Sequence, residues 1–182
     1  KTPAWVSKYG KNTAFFCTND AHTEPLLKQL AANGGFFIEA DLPSPLMGYP
    51  GAFGIDLAAE AGNWPVILEK VEKAVSDAGA AGRMGTWAFS YGYTNSVALA
   101  EFGKRIVEGT AKLDSKDDLM ACYGEYTPGA KWNGNYYTDL GTGVTSKNHL
   151  LVYQDTYIFG KGFMNAASVE VPEKYGQIKM TK

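Results

Sequence analysis

From residue 13 to 18 the chain reads Thr-Ala-Phe-Phe-Cys-Thr, apolar on both alternating faces. A short run of this kind predicts a strand buried on both sides, as in a parallel sheet. A polar turn follows, Asn19-Asp20-Ala21-His22. Leu26, Leu27, Leu30 and Ala31 then recur at helical spacing, with Thr23 placed to cap and Glu24-Pro25 in the first turn. Asn33-Gly34-Gly35 ends that helix, and residues 36–40 read as a second strand. Ahead of all this, residues 3–9 predict a helix stopped by Gly10.

Residues 41–54 carry no period and are rich in Pro and Gly. Loops of that length are uncommon in compact domains and often serve binding. The next helix is the clearest in the chain. Asn63 caps it, Pro65 sits in its first turn, and Trp64, Ile67, Leu68, Val71, Ala74, Val75 and Ala78 share one face up to Gly79. Residues 83–89 predict a third strand. A helix capped by Thr94 or Asn95 then runs to about Glu108, with Leu99, Phe102 and Ile106 inward and Gly109 closing it. Strand and helix alternate, which implies an α/β fold: a largely parallel open sheet flanked by helices, with right-handed crossovers. Residues 116–147 are rich in Gly, Tyr, Asn and Thr and predict short strands or an extended excursion. Residues 149–159 are strand-like, and residues 160–182 give weak signals.

The 182 residues suffice for one domain or for two small lobes sharing a crossing. Lys and Arg number 17 against 19 Asp and Glu, with no basic run. That balance argues against a nucleic-acid partner. Two cysteines, Cys17 and Cys122, are too few for a disulfide scaffold. With His22 and His149 the only histidines, no metal-ligand spacing appears, and no cofactor motif is present. No stretch reaches the ~18 apolar residues of a membrane span, and no signal peptide is visible. Lys1 opens the chain without Met, and the expectation is a processed product or a fragment.

Open α/β sheets bind ligands at the carboxyl ends of their strands. Asn19 and Asp20 are therefore the first ligand-binding candidates, with His22 on the same loop; the competing role of Asp20 or Thr23 is to cap the following helix. Trp87, Phe89 and Tyr91 alternate along the third strand, where they could wall a cleft or simply fill core. Ser44 and Tyr49 are the polar groups of the Pro/Gly loop able to reach a ligand. Glu39, Asp41 and Asp56 are the carboxylates a hydrolase would use, although solvated surface acids have the same composition. No nucleophile elbow, phosphate loop or triad is present, so the chain is expected not to be an enzyme.

The segment 13–33 resembles the strand–Asn-Asp–helix element of the type 1 periplasmic-binding fold. Gly85-Thr86-Trp87-Ala88-Phe89-Ser90-Tyr91, leading into the helix of residues 98–109, is similar to the crossing strand and returning helix of those proteins. Lys8-Tyr9-Gly10-Lys11-Asn12-Thr13-Ala14-Phe15-Phe16, Glu24-Pro25-Leu26, Pro43-Ser44-Pro45, Gly48-Tyr49-Pro50-Gly51-Ala52 and the stretch Tyr153-Gln154-Asp155-Thr156-Tyr157-Ile158-Phe159-Gly160-Lys161-Gly162 together resemble the C-terminal half of a family of bacterial periplasmic-binding-like lipoproteins. The resemblance implies residues 1–110 as an α/β lobe with its crossing strand and return helix, and residues 111–182 as an excursion and final strand completing the lobes. It implies an extracytoplasmic solute-binding protein of an uptake or sensing system, lipid-anchored through an N-terminal half absent here, with a membrane permease as partner. A swapped or homo-oligomeric partner would supply the other lobe. The alternatives are a hydrolase and the ligand-sensing domain of a transcriptional regulator.

Overall fold

The computed structural model describes residues 1–139, 141–170 and 172. Strands β1 (Ala14–Cys17) and β2 (Phe36–Ala40) pair in parallel, Ala14 opposite Phe36 and Phe15 opposite Phe37. A parallel bridge from Phe37 to Met84 sets β3 (Gly85–Thr86) on the far side of β2. Antiparallel to β3 lies β6 (Tyr157–Ile158), and antiparallel to that lies β7 (Gly162–Phe163). The architecture is α/β, but only the β1–β2–Met84 part is parallel. The chain returns beside β3 only after two further helices and a hairpin, and it runs antiparallel there, so this edge of the sheet is not a strand–helix–strand unit.

Helices α1 (Thr2–Tyr9), α2 (Thr23–Asn33), α3 (Tyr49–Phe53) and α4 (Trp64–Asp77) belong to this first unit. Its core joins Phe15, Cys17, Phe37 and Ala40 from the strands to Val6, Leu27, Leu30, Tyr49, Val71, Val75 and Phe159. The amphipathic stripes read from the sequence thus face the sheet. The strands, however, are buried on one face only: Phe16 and Ile38 are 54% and 41% exposed. Glycine lets the loop after β2 close onto α2. Gly48 has φ 76°, and a Cβ there would lie 2.7 Å from the backbone N of Glu24.

The second unit comprises α5 (Tyr91–Val107), α6 (Lys116–Tyr126) and an antiparallel hairpin of β4 (Trp132–Thr138) and β5 (Thr145–Gln154). Ala98, Phe102, Leu119, Cys122 and Tyr123 form its core, with Trp132, Leu150 and Val152 packed on it. Here the structure departs from the sequence reading. Leu99, expected inward, is half-exposed, and Thr94, expected as a cap, is buried inside α5. The predicted third strand shrinks to Gly85–Thr86, and α5 starts three residues before Thr94. Helix α6, unforeseen, is capped by Ser115, whose Oγ accepts the Asp118 N–H, with Asp117 and Asp118 in the first turn. The strand-like run of residues 149–159 is divided between β5 and β6. The two apolar cores part at residues 86–90, so α5 lies with the 111–154 stretch. Cys17 and Cys122 are free thiols, one in each core.

The chain passes between the units at residues 86–90 and again at 154–156. Gln154 joins the two passages. Its buried Oε1 accepts the N–H of Ala88 at 2.8 Å and that of Phe89 at 3.4 Å.

Candidate functional site

The loops leaving β2 and β3 meet at the carboxyl ends of these strands. Between them lies a cavity of about 370 Å³, lined by Leu42, Ser44, Leu46 and Met47 from one loop and by Ser90, Tyr91 and Gly92 where the other enters α5. Its walls are largely apolar: Leu42 and Leu46 are each 44% exposed, and Tyr91 is 39% exposed. The Ser44 Oγ accepts the Leu46 N–H at 3.1 Å, which fixes the turn. The Tyr91 N–H donates to the Pro43 carbonyl at 3.0 Å, so the two loops are hydrogen-bonded to each other beside the cavity. Behind Tyr91, aromatic contacts run through Trp87 (centroids 5.5 Å apart) to Trp132 (5.4 Å) and Tyr123 (4.1 Å). That chain of rings links the cavity wall to the core of the second unit.

Of the residues singled out from the sequence, Ser44 and Tyr91 are brought together here. Asn19 and His22 stand elsewhere, in a surface groove of about 470 Å³ between α1, the free edge of β1 and α2. The Asn19 carboxamide oxygen accepts the Ala21 N–H at 3.1 Å and caps a short 3-10 turn, Asp20–His22, that leads into α2. Asp20 reaches in the other direction. Its Oδ1 accepts the Leu42 N–H at 3.2 Å and so ties the loop after β1 to the start of the cavity loop. Thr23 is the first residue of α2 rather than its cap, and its buried Oγ1 has no partner among the described residues.

Two of the aromatic candidates belong to the packing. Trp87 and Phe89 do not alternate along a strand; they lie in the passage after β3, both buried. Phe89 packs against Trp64 at 6.1 Å. Tyr49 does not face a ligand from the loop, because that loop folds into α3 and turns it inward. The ring is 1% exposed, meets Phe37, Phe53 and Phe159, and donates its O–H to the Gly85 carbonyl at 2.8 Å. Burial pushes its pKa well above the ordinary value.

Glu39, Asp41 and Asp56 do not form a set. Asp41 and Asp56 are exposed, the latter accepting the Ala58 N–H at 3.0 Å. None of the three lines the cavities described here. Glu39 is the group that sequence reasoning undervalued. It accepts the Thr156 O–H at 2.7 Å, which joins β2 to the second passage between units. Burial raises its pKa from 4.5 to about 7, against the lowering by the Thr156 bond, and the charge of Asp155 adds to the rise. No sequence signal marked this, since Thr156 is 117 residues away. Between pH 4.5 and 7 the folded chain holds a proton on Glu39 that the unfolded chain has released. Stability therefore falls as pH rises through that window and levels off above it. Glu39→Gln is expected to flatten this slope. At pH 8 it should gain on the order of 1–3 kcal/mol over wild type, with no gain at pH 4, as read by denaturant unfolding across pH.

Among the described residues no group of three or more His, Cys, Asp or Glu side chains could hold a metal ion. No helix among them is long and apolar enough to cross a membrane.

A family model described as a protein of unknown function (DUF3798) matches residues 1–85, and a second family model matches residues 96–178. The gap between them contains the first passage between the two units. An uncharacterized protein of Treponema pallidum (strain Nichols) is 44% identical over 71 residues, 39% of this chain and 31% of that protein. Another uncharacterized protein of the same organism is 30% identical over 81 residues, 44% of this chain and 91% of that protein. The chain belongs to the family of this second protein. In fold it is similar to a crystal structure described as a putative transcriptional regulator from Clostridium difficile 630, with a TM-score of 0.70 and 21% identity over 86% of this chain. The chain spans 43% of that protein's length and 31% of the first Treponema relative's.

Proposed function

We propose that the chain is the ligand-binding part of a two-lobed protein of the type 1 periplasmic-binding kind. It takes a small molecule with an apolar or aromatic body at the carboxyl ends of β2 and β3. The observation that carries this reading is the placing of Ser44, from the loop after β2, and Tyr91, at the start of α5 after β3, on one cavity of about 370 Å³. Open α/β sheets bind ligands at this position, and the volume is that of small-molecule pockets. Tyr91 offers a ring face for stacking, while Leu42, Leu46 and Met47 supply apolar contact. Closure would come from rotation about the two passages at residues 86–90 and 154–156.

In this reading the protein is a solute-binding component of an uptake or sensing system outside the cytoplasmic membrane, working with a permease and without catalysis. Asn19 and Asp20 organise the neighbouring loop, and in this reading neither they nor His22 touch the ligand. The fold likeness to the Clostridium difficile protein, described as a putative transcriptional regulator, favours a second reading, in which the same site belongs to the sensing domain of a transcriptional regulator. A lipobox encoded upstream would decide for the first and a helix-turn-helix for the second.

A thermal-shift screen of nucleosides, sugars and amino acids tests the site itself. A ligand that raises Tm in wild type should bind Tyr91→Ala at least tenfold more weakly, about 1.4 kcal/mol. Unchanged affinity in that variant would remove Tyr91 and its cavity from the account.

A further inference from the structure

A second cavity, smaller and chemically distinct, lies where the two units abut. It measures about 160 Å³. It is lined by Trp64 and Leu68 of α4, Phe89 of the first passage, Pro128 and Ala130 of the α6–β4 loop, and Phe163 of β7. Both units contribute, and no lining residue is ionisable. Trp64 is held in place by ring contacts to Phe89 at 6.1 Å and Tyr93 at 5.4 Å. The Phe89 backbone is in turn fixed by the Gln154 carboxamide.

We infer that this cavity is a binding site for a small uncharged aromatic molecule of one ring or one fused ring pair. Three arguments carry it. The pocket opens to solvent past Pro65, Pro128 and Gly129, and its volume of about 160 Å³ with an apolar lining is that of a benzene-sized guest. Three aromatic rings around that volume favour a flat ring in offset or edge contact. A guest bearing charge would lose its hydration with no opposite charge among the lining side chains to offset it. The occupant touches both units at once and bears on Ala88–Phe89, the passage that continues into Ser90 and Tyr91 of the larger cavity. The site is separate from the proposed solute site and does not depend on it.

Indole titrated into the full chain tests the inference by thermal shift. Saturable binding is expected, with a Tm rise of about 3–5 °C at ten times Kd. Free tryptophan, a zwitterion with the same ring system, should bind at least tenfold more weakly. Ala130→Leu narrows the cavity and should weaken indole at least tenfold, and Leu68→Phe does the same from α4 if the first variant does not fold. Tyr91→Ala should leave indole affinity within twofold. Absence of a saturable wild-type shift would overturn the site. So would equal affinity for tryptophan, full binding by the filled variants, or loss of binding in Tyr91→Ala.

Discussion

Replacing Gln154 by Met is expected to destabilise the protein by about 2–4 kcal/mol while preserving side-chain volume. The reason lies in what the carboxamide oxygen does. It is the acceptor for the N–H groups of Ala88 and Phe89, and all three residues are buried. Methionine fills the space but accepts almost nothing, so two backbone donors lose their partner where water does not reach. A buried unpartnered donor costs about 1–3 kcal/mol. The carboxamide nitrogen has no partner among the described residues, so its loss returns part of that cost. Gln154→Glu keeps an acceptor and should be less damaging at low pH than at high pH, where a second buried charge joins Asp155. Equilibrium unfolding in urea reads all of this, and a Gln154→Met loss below 0.5 kcal/mol would show that Gln154 does not hold the passages together.

Tyr49→Ala is expected to cost about 3–5 kcal/mol, the range for removing a large buried aromatic. Tyr49 contacts Phe53 on its own helix α3, Phe37 of β2 and Phe159 beyond β6, so its ring ties α3 to β2 and to the segment after β6. Tyr49→Phe isolates the hydroxyl. It should cost about 1–2 kcal/mol through the bond to the Gly85 carbonyl, with no change in ligand affinity. Lost ligand binding in Tyr49→Phe at unchanged stability would return the residue to the site and contradict its placement in the core.

The sequence made the first unit legible because its signals are local. Helical spacing of Ile67, Val71 and Val75 and the Asn33-Gly34-Gly35 stop need no distant partner to be recognised, and both elements stand where expected. The β1 strand was legible as an element but not in its environment. Phe16 is exposed although its neighbours read as a run buried on both sides, because helices cover only the Phe15–Cys17 face. The second unit was nearly opaque. In α6 the core residues Leu119, Cys122 and Tyr123 are followed at once by Gly124 and preceded by two aspartates, which conceal the period. The long hairpin carries Asn, Gly and Thr in place of alternating β-branched residues.

The site shows the same division. Ser44 and Tyr91 could be named from the sequence, but their meeting depends on β2 and β3 lying side by side, which a two-residue strand does not announce. Asn19 and Asp20 were legible as polar loop residues. Their oxygens are engaged by the backbone of Ala21 and Leu42, so their chemistry goes into shaping loops. Glu39 was visible only as one acid among others, since its environment is made by Thr156 and Asp155.

The most direct measurement is the position of a bound ligand. Amide chemical-shift mapping with a hit from the thermal-shift screen should move the resonances of Leu42, Ser44, Leu46, Tyr91 and Gly92 together, and a co-crystal should place the ligand's apolar face against the Tyr91 ring. Perturbations centred on Trp5, Asn19 and His22, with residues 42–47 and 90–92 unmoved, would contradict the account.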